Sequence, residues 1–143
     1  VTNTKKESTA ELIRKLSSKG IICNITALFT TDQIKLVYDA IDKSTPSILS
    51  VFAGRIADTG VDPSNIMRYS VDLVKSKPRM EILWASTRET LNIFQAEEIG
   101  CQIITVPHEI LGKLNYLDKN LEDFSLETVK SFYKDSIAAG FKI

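Results

Sequence analysis

Four apolar runs, at about residues 21–26, 47–52, 81–86 and 101–106, alternate with segments whose apolar residues fall at helical spacing. Strand and helix taking turns in this way predict an α/β protein with a parallel (β/α) array, and exclude a sandwich or a helical bundle. The runs are nearly continuous rather than alternating, as in Ile21-Ile22-Cys23-Asn24-Ile25, which is the pattern of strands covered on both faces. Right-handed crossovers follow from that arrangement. No sequence repeat, low-complexity tract or interdomain linker interrupts it, so residues 1–143 read as one domain.

The helical segments carry their own punctuation. Ser8 and Glu11 form a capping-box pattern ahead of Leu12, Ile13 and Leu16, with Gly20 as the stop. Thr31 is placed to cap a helix bearing Ile34, Val37, Tyr38 and Ile41, and Asp62-Pro63 opens one bearing Ile66, Tyr69, Leu73 and Val74. Leu91 to Ile99 ends at Gly100, and Pro107 starts a short helix. Ser125 is the expected cap of a last helix over 125–139, with Leu126, Val129, Phe132, Tyr133 and Ile137 as its apolar positions.

Two architectures accommodate this order, an open doubly wound sheet or part of a (β/α)8 barrel. A complete barrel takes about 250 residues and eight strands, so this chain would be roughly half of one. Val1-Thr2 reads as the tail of a strand that begins earlier, because a helix start follows almost at once.

Charge and composition narrow the partners. Lysine plus arginine equals aspartate plus glutamate at 18 each, so no basic field recruits nucleic acid or an anionic membrane. No apolar run reaches the roughly 20 residues of a spanning helix, and Val1 to Lys6 lacks the apolar stretch of a signal peptide. These features predict a cytoplasmic protein. Cys23 and Cys101, alone and each in an apolar run, are expected to be buried free thiols. His108, the single histidine, has no nucleophile or third partner in register, and no metal-ligand spacing is legible. Trp84 and Phe94 fall at packing positions.

Two runs end in arginine: Ser50-Val51-Phe52-Ala53-Gly54-Arg55 and Trp84-Ala85-Ser86-Thr87-Arg88. Guanidinium groups at the carboxyl ends of parallel strands suit a phosphate clamp, since their fixed donor fork matches phosphate oxygens. From the residues alone, other roles are open. Arg55 can pair with Asp58 and Arg88 with Glu89, Ser86 with Glu89 makes a capping box, and Asn24 and Thr26 can serve as strand-end polar groups.

The ordered set Gly20-Ile21-Ile22-Cys23-Asn24-Ile25-Thr26, Ser50-Val51-Phe52-Ala53-Gly54-Arg55-Ile56, Ile82-Leu83-Trp84-Ala85-Ser86-Thr87-Arg88 and Ile103-Ile104-Thr105-Val106-Pro107 resembles the transaldolase family along the whole chain. The resemblance implies the carboxyl-terminal half of a (β/α)8 TIM barrel and transfer of a dihydroxyacetone unit between sugar phosphates through a lysine Schiff base, as part of the pentose phosphate pathway and without metal or organic cofactor. Fructose-6-phosphate aldolase-like cleavage is the alternative activity, and Phe52, where a tyrosine would suit the aldolases, favours the transferases. A non-catalytic half-barrel that only binds phosphate or assembles is the alternative outside enzymes.

Residue by residue, the resemblance makes Thr26 the holder of a catalytic water. It makes Asn24, Ser50 and Phe52 substrate-binding, and Arg55, Ser86 and Arg88 the phosphate site. Val1-Thr2 is similar to the end of the family's Lys-x-Pro-Val-Thr motif, which sets the Schiff-base lysine just upstream of Val1 and leaves this chain inactive by itself. Lys5 and Lys6 are poor substitutes, because adjacent like charges in a loop describe a solvated turn rather than a desolvating pocket. Unpaired parallel edges are then expected to bring in a second copy, as a homo-oligomer, or the amino-terminal half.

Overall fold

The computed structural model describes residues 1–141, which divide into two compact units, 1–111 and 112–141. In the first unit the elements run α1 (Ala10–Ser17), β1 (Cys23–Leu28), α2 (Thr31–Ala40), β2 (Ser47–Val51), α3 (Ala53–Ala57), α4 (Ser64–Val74), β3 (Met80–Trp84), α5 (Leu91–Ile99) and β4 (Ile103–Ile104), followed by α6 (His108–Gly112), whose last residue is the first of the second unit. The strands form one four-stranded sheet in the order β1-β2-β3-β4, with every neighbouring pair parallel. Sequence order and spatial order coincide, as successive (β/α) units laid side by side require. This α/β arrangement is consistent with part of a TIM barrel.

The pleat divides the strands between two faces. Ile25, Leu49, Val51, Ile82 and Trp84 enter the hydrophobic core with Ile34 and Val37 of α2 and Met67, Val71 and Val74 of α4. Each such side chain contributes about 1.5–3 kcal/mol by leaving water. Residues between them in the strands, Asn24, Ile48, Ser50 and Leu83, belong to the other face. Of these, Asn24 is exposed and Ile48 half-buried, so the expectation that both faces are covered fails for β1 and part of β2.

Several boundaries differ from the sequence reading, each for a local reason. β1 starts at Cys23 because the Ile21 amide donates to Leu16 O in closing α1, and it continues to Leu28. β4 shrinks to two residues because the Cys101 amide donates to Ala96 O, completing the turn in which Gly100, at φ +89°, ends α5. Thr30, not Thr31, caps α2, in a reciprocal capping box with Gln33. Ser8 and Glu11 form no such box: Ser8 Oγ accepts from the Ala10 amide, and α1 has no side-chain cap. Phe94 is exposed rather than packed.

In the second unit a 3-10 turn, Lys113–Tyr116, precedes α7, Leu121–Ala138. The cap of α7 is Asn120, whose side chain accepts from the amides of Glu122 and Asp123, so the helix starts four residues before the expected Ser125. Tyr116 and Phe124 stack at 5.4 Å, with the Lys119 ammonium 4.5 Å from the Phe124 ring centre. The apolar positions of α7, Leu126, Val129, Phe132, Tyr133 and Ile137, are exposed.

Both cysteines are free and half-buried rather than fully so. Burial pushes the Cys101 thiol up from 9.0 to about 11. A thiol that keeps its proton more tightly folded than unfolded adds stability below pH 9 and loses it as the pH rises from 9 to about 11. Iodoacetamide at pH 8 is therefore expected to label Cys101 slowly in the native chain and rapidly in urea, read by mass spectrometry. Fast native labelling would contradict this packing.

Candidate functional site

The carboxyl ends of β1, β2 and β3 meet around a cavity of about 380 Å³ lined by Asn24, Thr26, Ser50, Phe52, Arg55, Leu83, Ala85, Ser86 and Thr105. Six of the seven residues singled out in the sequence share this wall: Asn24, Thr26, Ser50, Phe52, Arg55 and Ser86. Arg88 is the one outside it.

A β-bulge aims the first strand. Ile25 pairs with Leu49 and Leu28 with Val51, so Thr26 and Ala27 together oppose Ser50. The extra residue is absorbed by Ala27 at φ +58°, a left-handed conformation that costs a non-glycine residue about 1–2 kcal/mol. Such strain is retained where a side chain must be aimed, and here the bulge sets Thr26 in the cavity wall beside Asn24. Across the strands, Ser50 Oγ donates to Asn24 Oδ1 at 2.6 Å. Ser50 is only 2% exposed, so its hydroxyl is fixed, and it leaves the Asn24 amide nitrogen as the donor of the pair.

Beyond β2 the chain turns directly into α3. The Phe52 amide donates to Leu28 O at 2.9 Å and the Ala85 amide to Val51 O at 2.9 Å, extending the sheet ladder to the rim. Phe52 lies against Phe29, with ring centres 5.8 Å apart, and the Arg55 guanidinium sits 5.3 Å from the Phe52 ring centre. Arg55 makes no ion pair among the described residues. That corrects the Arg55–Asp58 pairing considered above: Asp58 is taken by Arg88, whose Nε lies 3.1 Å from each carboxylate oxygen and whose Nη2 lies 2.6 Å from Oδ2. Hydrogen bonding from Arg88 holds the Asp58 carboxyl below its ordinary range.

The loop after β3 is shaped by two side chains unconnected with any capping box. Asn92 Oδ1 accepts from the amides of Arg88 and Glu89, and Thr87 Oγ1 donates to Thr105 O at 2.7 Å. Ser86, at φ +66°, precedes α5 by too many residues to cap it, so the Ser86–Glu89 box is not formed. Gly54 lets α3 approach this loop, its amide 3.3 Å from Ala85 O.

The cavity wall contains one polar residue that the sequence reading passed over. Thr105 ends the Ile103-Ile104 run as Thr26 ends its own, a hydroxyl at a strand's carboxyl end, and that shared position was the available signal. His108 is exposed, as are Lys5 and Lys6, and no lysine lines the cavity. Among the described residues no group of three or more His, Cys, Asp or Glu is placed to hold a metal ion, and no helix is long and apolar enough to cross a membrane.

Polar side chains and a guanidinium gathered at the carboxyl ends of parallel strands, above a helix-packed core, define a (β/α)-barrel type of site. The family model described as Transaldolase/Fructose-6-phosphate aldolase matches residues 3–143, and the chain belongs to that family. A protein of Nitrosopumilus maritimus named "Probable transaldolase" is 35% identical over 124 residues, covering 85% of this chain and 52% of the relative. Proteins of the same name from Phocaeicola vulgatus and a Thermoanaerobacter species are 32% and 30% identical, covering 90% and 92% of this chain and 56% and 57% of their own length. The chain thus spans about half the length of the curated relatives it matches.

Proposed function

We propose that this chain forms the substrate-holding part of a transaldolase, an enzyme that moves a dihydroxyacetone unit from a ketose phosphate to an aldose phosphate through a lysine Schiff base. The observation that carries the reading is the single cavity shared by Asn24, Thr26, Ser50, Phe52, Arg55 and Ser86. The wall divides chemically. The Asn24 amide and Ser50 hydroxyl, already locked together, suit the hydroxyls of a three-carbon unit, Thr26 suits an ordered water, and Arg55 with Ser86 suits a phosphate ester.

In the reaction, a neutral amine adds to the ketose carbonyl and loses water to give an iminium. A base takes the proton of the C4 hydroxyl, the C3–C4 bond breaks with its electrons drawn into the iminium, and the aldehyde leaves. The enamine then attacks the acceptor aldehyde, and hydrolysis returns the amine. The polar wall holds and orients these species, and neither metal nor organic cofactor takes part in the steps. As no lysine lines the cavity, the amine comes from the part of the relatives' length that this chain does not match. That part, or a second copy, is the partner that completes the site. The pathway is pentose phosphate metabolism in the cytoplasm.

Fructose 6-phosphate with borohydride, followed by mass spectrometry, tests the reading. No reduced adduct is expected on the 143-residue chain, and one adduct is expected once the remainder of the relatives' length is supplied. An adduct on Lys5 or Lys6 would overturn the assignment of the amine. Rapid release of glyceraldehyde 3-phosphate without an acceptor would replace transfer by simple cleavage.

A further inference from the structure

We propose that Asp58 is a carboxylate latch on Arg88, competing with the substrate's phosphate for that guanidinium and handing it over as phosphate binds. The inference rests on the phosphate reading of the rim given above. It concerns a residue that lies outside the cavity wall and acts through another side chain.

Three observations carry it. First, Arg88 spends its Nε and Nη2 edge on both oxygens of Asp58, at 3.1, 3.1 and 2.6 Å, a side-on bidentate pair of the kind a phosphate would otherwise form. Second, the cavity wall includes Arg55 and Ser86 but stops short of Arg88, although Ser86 is only two residues away. Asp58 ends α3 within one helical turn of Arg55, and the charge of Arg55 reaches its carboxyl. Both cations therefore lie around one carboxylate at the rim, with Arg55 turned to the cavity and Arg88 engaged beside it.

Third, the pair is built to open. The side chains of Arg88 and Asp58 are 47% and 51% exposed, so solvent screens their attraction and the contact is cheap to break. The stem of Arg88 runs beside Gly54, its Cγ 3.0 Å from the position that a Cβ there would take, so the guanidinium stays next to the β3–α5 loop that carries Ser86. A dianionic phosphate ester carries more charge and more acceptor oxygens than the carboxylate, so the exchange favours phosphate.

The test is titration of the chain with inorganic phosphate, followed by NMR of the Arg88 Nε–H and the Ser86 amide, in wild type, Asp58→Asn, Arg88→Ala and the double variant. Asp58→Asn is expected to tighten phosphate binding about threefold, the scale of releasing one exposed ion pair. Arg88→Ala should weaken it about tenfold, as the loss of a charge-assisted hydrogen bond does. In the Arg88→Ala background Asp58→Asn should do nothing further. A gain that persists in that background would reduce Asp58 to bulk repulsion, and an unchanged or weaker Asp58→Asn would deny competition; either overturns the latch. Wild type that binds no phosphate would overturn the latch together with the phosphate reading beneath it. Phosphate binding with no Schiff-base adduct on the completed enzyme would instead remove the transfer reading and leave the latch standing.

Discussion

Gly54→Ala should unfold the rim and cost the chain at least about 3 kcal/mol, the upper end for forcing an added methyl into a packed position. A Cβ on residue 54 would lie 1.5 Å from Ser86 O and 2.6 Å from Ser86 C. Both atoms are backbone, so no rotamer change relieves the clash. Either α3 backs away or the loop after β3 does, and both movements break the Gly54 amide contact to Ala85 O and separate Arg55 from Ser86. Against a typical stability of about 5–15 kcal/mol this is a large fraction. It corresponds to a fall of about 10 °C in Tm for a domain of this size. Gly112→Ala is the control, because a Cβ there meets nothing within 4 Å and residue 112 has helical φ −59° and ψ −28°. Urea midpoints should drop for the first variant and stay level or rise slightly for the second. Equal midpoints for Gly54→Ala and wild type would mean that α3 does not dock on this loop.

The architecture was legible because hydrophobic burial is written locally. Ile48 to Phe52 and Ile82 to Ala85 are runs too apolar for a loop and too short for a helix, and the amphipathic segments between them could only be crossovers. The strand-end hydroxyls and Arg55 were picked out by the resemblance of their runs to the transaldolase family, because from the residues alone an ion pair or a backbone-satisfied strand end was equally open. What stayed hidden depends on contacts across the sequence. Asp58 was paired by proximity with Arg55, one helical turn away, whereas it bonds to Arg88, 30 residues on, because α3 and the β3–α5 loop meet over Gly54. The bulge at Thr26–Ala27 left no glycine to announce itself, so the left-handed Ala27 could not be read from composition. The cap of α7 was misplaced because Asn120, Glu122 and Asp123 look like a polar loop, yet they satisfy the first free amides and suit the positive end of the helix.

Trp84→Ala is the second large effect, at about 3–5 kcal/mol. Trp84 is 0% exposed and is the largest fully buried side chain. It stands in register between Val51 of β2 and Ile104 of β4, on the face that carries the core. Truncating it opens a void beneath the strand that delivers Ala85 and Ser86 to the cavity, so stability and rim geometry fall together. The indole adds a second consideration, because Trp84 Nε1 is buried with no hydrogen-bond partner among the described residues. An unpaired buried donor costs about 1–3 kcal/mol, and phenylalanine discards that penalty while keeping most of the apolar volume. Trp84→Phe is therefore expected to lose less than half of what Trp84→Ala loses, measured by urea unfolding with far-ultraviolet circular dichroism, since both variants lack the chain's single tryptophan fluorophore. If phenylalanine proves as damaging as alanine, the indole nitrogen must have a partner and the apolar account of this position is wrong.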